Sequence, residues 1–163
     1  MDFSELSYQG EVRDSLDKML AEQCTQNNLK KFDEDFKHDE QLLSLLAKNG
    51  YLGLGVNEQY GGSGENLYDI GILFERLGYH AAPLSMIGCL VDVVQTIQKF
   101  SDGNTHQSLI EAIVGGEIHT SAILEPLNQD PENPLTRAEI DGDNLIITGT
   151  KYLSELASKS KSI

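Results

Sequence analysis

The sequence predicts a mainly α fold: an amino-terminal all-helical domain, residues 1–117, followed by the first strands of a β-barrel-like domain, residues 118–163. Three observations predict it. Apolar residues recur at helical spacing through the first 115 positions, with charges on the opposite faces. That periodicity stops at Gly115-Gly116. Beyond it stand short apolar runs joined by Asp141-Gly142-Asp143-Asn144, a hairpin turn signal.

From Ser7 to about Gln23, the residues Val12, Leu16, Met19 and Leu20 line one side, as in a surface helix of a bundle. Asn27 to Glu40 is dense in charge with only Phe32 and Phe36 as anchors, and reads as a solvated connector with partial helical character. Leu42, Leu43, Leu45 and Leu46 then form a compact helix stopped by Gly50. The stretch Asn57-Glu58-Gln59-Tyr60-Gly61-Gly62-Ser63-Gly64 is a turn-rich loop, and Gly61 or Gly62 is expected at positive φ because the turn needs a residue without Cβ. Ser63 or Asn66 is the expected cap of the next helix. Helical patterns resume from Leu67 to Leu77, ending at Gly78, from Ser85 through Leu90, Val94 and Ile97, and from about Thr105 to Val114. His119 to Leu124 reads as a strand, Glu125 to Thr136 as a Pro-rich loop, and Ala138 to Ile140 and Leu145 to Thr148 as two strands.

At 163 residues the chain is long enough to bury a core without disulfide or metal staples. Its 26 acidic and 12 basic residues give a net charge of −14, so nucleic acid and anionic membrane surfaces are poor partners. The apolar content of 39% falls in periodic runs, which argues for a globular chain despite that charge. The most apolar stretch, Met86 to Val94, is broken by Asp92 and is far shorter than the ~20 residues a membrane span requires. Cys24 and Cys89 lie far apart and no secretory leader pattern is visible, so free thiols and a cytoplasmic setting are expected. His38, His80, His106 and His119 stand at no metal-ligand spacing, and no metal site is expected.

Taken singly, the motifs carry little chemistry. Gly61-Gly62-Ser63-Gly64 has amides to offer a phosphate but lacks the lysine and spacing of a P-loop, and a tight turn entering a helix is the favoured reading. Glu75 and Arg76 read as a solvated helix end, and Asp141 and Asp143 as turn formers.

Their combination is more specific. The run Gly50-Tyr51-Leu52-Gly53-Leu54-Gly55-Val56 continued through Gly64, then Phe74-Glu75-Arg76-Leu77-Gly78, then Gly116-Glu117 leading to Leu124-Glu125-Pro126, then Asp141-Gly142-Asp143 leading to Gly149-Thr150-Lys151, resembles the acyl-CoA dehydrogenase family read in order. The resemblance runs from about Leu6 to Ile163. It implies an amino-terminal helical domain, a middle β domain and a carboxy-terminal four-helix domain that hold FAD and an acyl-CoA thioester between them. It also implies an electron-transfer protein as partner and a homo- or hetero-oligomer. The family reaction takes the proton α to the thioester and passes the β-hydride to the flavin, which requires a desolvated carboxylate as base and fixed donors for the developing enolate. That glutamate belongs to the carboxy-terminal domain, beyond Ile163, so this chain, read as truncated, is expected to hold no catalytic residue.

Carried over by residue, Leu124-Glu125-Pro126 stands where the family has Thr-Glu-Pro facing the flavin, keeping the amide and lacking the hydroxyl. Leu127-Asn128-Gln129-Asp130 stands where Gly-Ser-Asp is common, with Asp130 matching the aspartate and no counterpart for the glycine and serine. Leu153 stands where an aromatic residue usually meets the flavin. Ile123, Leu124 and Asp130 are therefore the cofactor-facing candidates, and weak or no FAD binding is expected of this chain alone. Leu84, Ile87 and Leu90, opening the helix after Pro83, are the candidates to line the acyl pocket, against the competing reading that they are core residues at helical spacing. The Glu-Pro without threonine, the irregular loop before Thr136-Arg137-Ala138, and Ala81-Ala82-Pro83-Leu84 resemble the branch acting on bulky acyl groups, including steroid side chains. Some of that branch's members are mixed oligomers in which one partner completes the flavin site. The function expected is the amino-terminal portion of an acyl-CoA dehydrogenase-like flavoprotein. The alternatives are a non-catalytic subunit acting as a binding or assembly module, and an acidic helical interaction domain.

Overall fold

In the computed structural model, which describes residues 5–35, 39–64, 66–101, 106–128 and 130–163, helix α1 (Ser7–Gln23) buries Leu16 and Leu20 and packs along α4 (Leu67–Tyr79). Polar contacts fix how the two helices meet. Gln9, buried, accepts the Leu6 N–H through Oε1 at 2.9 Å, satisfying one of the orphan donors at the helix start. Its amide donates at 2.7 Å to Asp69, a buried carboxylate on α4 that also accepts from the Tyr8 hydroxyl. A turn or more away, Asp17 accepts from Arg76 at 3.1 Å and meets His80 Nε2 at 2.8 Å.

The charge-dense stretch Asn27 to Glu40, expected as a connector with partial helical character, holds helix α2 (Gln26–Asp35), in which Leu29 and Phe32, three residues apart, supply a narrow half-buried stripe. Phe36 and His38 lie outside the described residues. Helix α3 (Glu40–Lys48) starts where the Asp39 carboxylate accepts the Leu42 N–H at 2.9 Å, and is followed by Gly50 at φ +79°. Single 3-10 turns follow at Tyr51–Gly53 and Glu58–Tyr60. Both adjoining glycines are needed, for different reasons. Gly61 has φ +82° and open space around it, whereas a Cβ on Gly62 would stand 2.0 Å from the Val56 carbonyl oxygen. Asn66 is the cap of α4, accepting the Tyr68 N–H at 3.0 Å.

The helix expected from Ser85 onward begins instead as a wide π-type helix, Gly88–Gln95, and continues as α5 (Thr96–Phe100). Met86, Cys89, Leu90 and Val94 are buried along it. Burial pushes the Cys89 thiol up to about 11. Helix α6 (Gln107–Val114) buries Ile110 and Ile113; Thr105, where it was expected to start, lies outside the described residues.

Beyond Gly116, residues 119–124 run without the strand ladder the sequence predicts. A ladder needs a partner that returns a bond at every second residue. Here the neighbouring segment turns repeatedly and meets this one at isolated points: Tyr152 N–H to the Leu124 carbonyl at 3.0 Å, Thr120 N–H to the Ser162 carbonyl at 3.2 Å, and Lys161 N–H to the Ile118 carbonyl at 2.8 Å. The hairpin does form. Strands β1 (Arg137–Asp141) and β2 (Asn144–Thr148) are antiparallel, with Ala138 opposite Ile147, Ile140 opposite Leu145, and a two-residue turn at Gly142-Asp143 where Gly142 has φ +60°. Among the described residues no helix is long and apolar enough to cross a membrane.

Candidate functional site

Two concave regions collect the candidate residues. The first is a groove of about 550 Å³ between the end of α4, the turn after it and the carboxy-terminal segment; Phe74, Leu77, Leu84, Ile87 and Leu156 supply its apolar walls. The fold makes this wall because α4 ends at Tyr79, Ala81 adopts φ +51°, and the chain then runs back past Pro83 along the helix it has just left. Leu84 is 7% exposed and Ile87 is 53% exposed, so one forms the floor and the other the rim. Leu90 is 1% exposed, sits in the core, and is absent from the groove wall. On the far side of Ala81 and Pro83 a second hollow of about 470 Å³ reaches Leu29 and Phe32 of α2. The volume of the first groove lies within the range of small-molecule pockets.

The second region brings Ile123, Leu124 and Asp130 to one cavity of about 150 Å³, together with Glu125, Asn128, Pro131, Pro134 and Lys151. Its organiser is Glu125, 4% exposed. The carboxylate accepts the Thr136 main-chain N–H at 2.8 Å, the Asn128 side-chain amide at 2.9 Å, the Leu135 N–H, and Lys151 Nζ at 2.9 Å. The contacts from Thr136 and Asn128, joined by Leu135 and Lys151, hold its pKa far below the ordinary carboxylate range against the upward push of burial. Gly149 passes so close that a Cβ on it would stand 2.7 Å from the Thr136 Cα, so the loop and the segment leading to Lys151 are locked together.

A carboxylate held ionised by four donors is a poor proton acceptor, because protonating it sacrifices those bonds. Glu125 is thus a fastener. Glu75 is equally committed: it accepts from Arg13 and, at 2.7 Å, from Arg76, and those contacts lower its pKa. Among the described residues no group of three or more His, Cys, Asp and Glu side chains is arranged to hold a metal, and Cys24 and Cys89 are unpaired.

A flavin cofactor asks for an apolar edge for its ring and donors for its phosphates. Ile123 and Leu124, each 49% exposed, supply an edge. The rest of the set does not fit. The Ile123 and Leu124 carbonyls already accept from Lys151 and Tyr152. Asp130 is closed into its own turn, accepting from the Glu132 N–H at 3.1 Å and the Asn133 amide at 2.7 Å, and Lys151 is spent on Glu125. Leu156 and Lys151, as partners of the groove and of Glu125, carry no local signal in the sequence, because each meets residues more than 20 positions away.

The description "Acyl-CoA dehydrogenase, N-terminal domain" matches residues 7–117. Acyl-CoA dehydrogenase FadE12 of Mycobacterium tuberculosis is 27% identical over 118 residues, covering 71% of this chain and 30% of its own length. A Tcur3481-Tcur3483 steroid ACAD variant superposes with a TM-score of 0.83 at 27% identity, over 94% of this chain and 42% of that one. PigA with FAD and proline shares the fold, with a TM-score of 0.80 at 21% identity over 94% of this chain and 42% of that one. The chain therefore spans about a third of the length of the curated relative it matches, and it belongs to the acyl-CoA dehydrogenase family, whose amino-terminal domain its helices form.

Proposed function

We propose that this chain is the acyl-recognising amino-terminal portion of an FAD-dependent acyl-CoA dehydrogenase, residues 1–117 forming the helical domain and 118–163 the start of the β domain. The observation that carries the reading is the 550 Å³ apolar groove floored by Leu84 and rimmed by Ile87, which suits an aliphatic acyl chain. On this reading Ile123 and Leu124 lend the flavin an apolar edge, Asp130 stands beside it committed to its own turn, and the base, the donors for the flavin and the electron-transfer partner come from outside these 163 residues. The bulky-acyl branch is supported by the 27% identity to the steroid ACAD variant.

Calorimetric titration of the full chain with butyryl-, octanoyl- and unacylated CoA tests the groove. Octanoyl-CoA is expected to bind most tightly, and Leu84→Asp to weaken it by about tenfold or more, since burying a charge against an acyl chain forfeits the apolar transfer. Equal binding of acylated and unacylated CoA, unaffected by Leu84→Asp, overturns the reading. With FAD and a dye acceptor the chain alone is expected to give no desaturation, because Glu75 and Glu125 are both engaged as acceptors in ionised contacts.

A second reading, an assembly module, is favoured by one observation. Ala138, Ile140, Leu145 and Ile147 make an apolar face on a hairpin whose ten strand residues are all exposed. Light scattering separates the two: a self-associating chain that Ile147→Glu returns to monomer supports assembly.

A further inference from the structure

The Glu155 carboxylate sits in a site built by distant residues. Glu155 Oε2 accepts the Gly88 N–H at 2.7 Å and Oε1 accepts the Ser85 hydroxyl, contacts that span 67 and 70 positions of chain. Gly88 opens the wide helix Gly88–Gln95, so the carboxylate lies on the positive end of the helix dipole. A third donor faces the same point. Thr120 is 5% exposed, and its hydroxyl oxygen has no hydrogen-bond partner. A Cβ on Gly88 would stand 2.8 Å from that oxygen and 3.2 Å from Glu155 Oε2, so glycine keeps the hollow open and the hydroxyl is directed into it.

Glu155 fills this hollow imperfectly and under tension. It takes two donors and leaves the buried Thr120 hydroxyl unsatisfied, a state that costs free energy in a low-dielectric interior. The residues on either side of its short segment, Leu153 and Leu156, are held at φ +54° and +51°, where a branched side chain is strained. Leu156 meanwhile lies in the groove beside Leu77, Leu84 and Ile87, so the segment presents a carboxylate and an aliphatic side chain together.

We propose that Ser85, Gly88 and Thr120 form a binding site for the carboxylate of a short aliphatic acid, and that Glu155 with Leu156 occupies it as an internal stand-in. A free ligand is not tethered to the strained segment and can take all three donors, with its alkyl part in the place of Leu156. The site needs no CoA, so its test stands apart from that of the acyl-CoA reading.

The experiment follows the Gly88 amide by NMR during titration of the full chain with sodium hexanoate, with hexanol as the control that lacks the carboxylate. Removing the internal occupant with Glu155→Ala is expected to tighten hexanoate by about tenfold or more, and adding Thr120→Val to that background to weaken it by about fivefold, the size of one lost hydrogen bond. Hexanol is expected to leave Gly88 unmoved. Hexanoate binding that is no tighter in Glu155→Ala than in the unaltered chain, or hexanol acting as well as hexanoate, overturns the proposal. If Glu155→Ala loosens the segment, the comparison made within that background carries the test, and hexanoate binding left unchanged there by Thr120→Val overturns the proposal.

Discussion

Residues before Gly116 and residues after it carry the same kinds of apolar side chain and treat them in opposite ways. Ahead of Gly116, leucines and isoleucines from α1, α3, α4, the wide helix and α6 meet in one buried cluster. After it, among the described residues, only Ile118 of the large apolar residues is buried, while Leu127, Leu135, Ile140, Leu145 and Ile147 stand exposed. The later segment is instead held by polar contacts, among them those of two of its own carboxylates: Glu125 gathers its own loop and Lys151, and Glu155 reaches back to the start of the wide helix. Regular structure and burial are thus separable. A helix gains its stability from the face it packs, whereas a two-stranded ribbon with nothing against it has only its turn and its ladder.

The largest expected effect tests the packed side of that comparison. Leu73→Ala, at a site 1% exposed, removes buried methyls from the cluster and is expected to cost about 2–5 kcal/mol. Thermal unfolding followed by helix content reads it. A loss below about 1 kcal/mol means the helical core is loose and the contrast drawn above fails.

Next in size comes the loop that lets the core close. Gly62→Ala drives a methyl into the Val56 carbonyl and is expected to cost about 2 kcal/mol or more, because main chain must move. Gly61→Ala meets no atom and suffers only its φ of +82°, about 1 kcal/mol. Reversal of that order would show that the loop yields around Gly62.

How much of this was legible follows from what each feature needs. The helices of the core were readable because one face repeats along the chain, and the turn at Gly61-Gly62 because backbone geometry is local. Helix α2 was legible only as partial helical character with Phe32 as an anchor, because its charges mask the stripe that Leu29 completes. The wide helix was readable as a helix only, since Met86, Cys89, Leu90 and Val94 suit more than one helical pitch. The groove was half legible: Leu84 and Ile87 reach it, while Leu90, with the same chemistry, turns to the core. The predicted strand at residues 119–124 failed because pairing depends on a partner that a single segment cannot reveal. The fastening of the tail was not legible, since the contacts of Glu155 join positions 67 and 70 apart.

The polar fastening predicts an acid response confined to the tail. Glu125 is held well below its ordinary 4.5 in the folded chain. Its contribution is therefore complete above about pH 4.5 and is lost as pH falls further, where the unfolded segment takes up a proton the folded one resists. The protection of the Leu135 and Thr136 amides, taken as hydrogen exchange relative to the intrinsic rate at each pH, is expected to fall on acidification, and Glu125→Gln to abolish most of that fall while helix α4 stays protected. An equal loss of protection in α4 would mean that the two regions open as one.

The smallest expected effect belongs to the hairpin, and it probes the exposed side most directly. Leu145 is 61% exposed and Ile147 66% exposed, so their side chains have little burial to lose. Leu145→Ala and Ile147→Thr are each expected to change the unfolding free energy of the monomer by no more than about 0.5 kcal/mol, the range of ordinary surface substitutions. Because Ala138, Ile140, Leu145 and Ile147 lie on one face of the ribbon, the double variant is expected to add nothing to this, yet to reduce concentration-dependent association, which an apolar face with an open strand edge promotes. Sedimentation at several concentrations, alongside thermal unfolding at the lowest, separates the two quantities. A loss above about 1 kcal/mol in the dilute monomer would mean that the ribbon packs on the helices, and the face would then belong to the core cluster instead of standing apart from it.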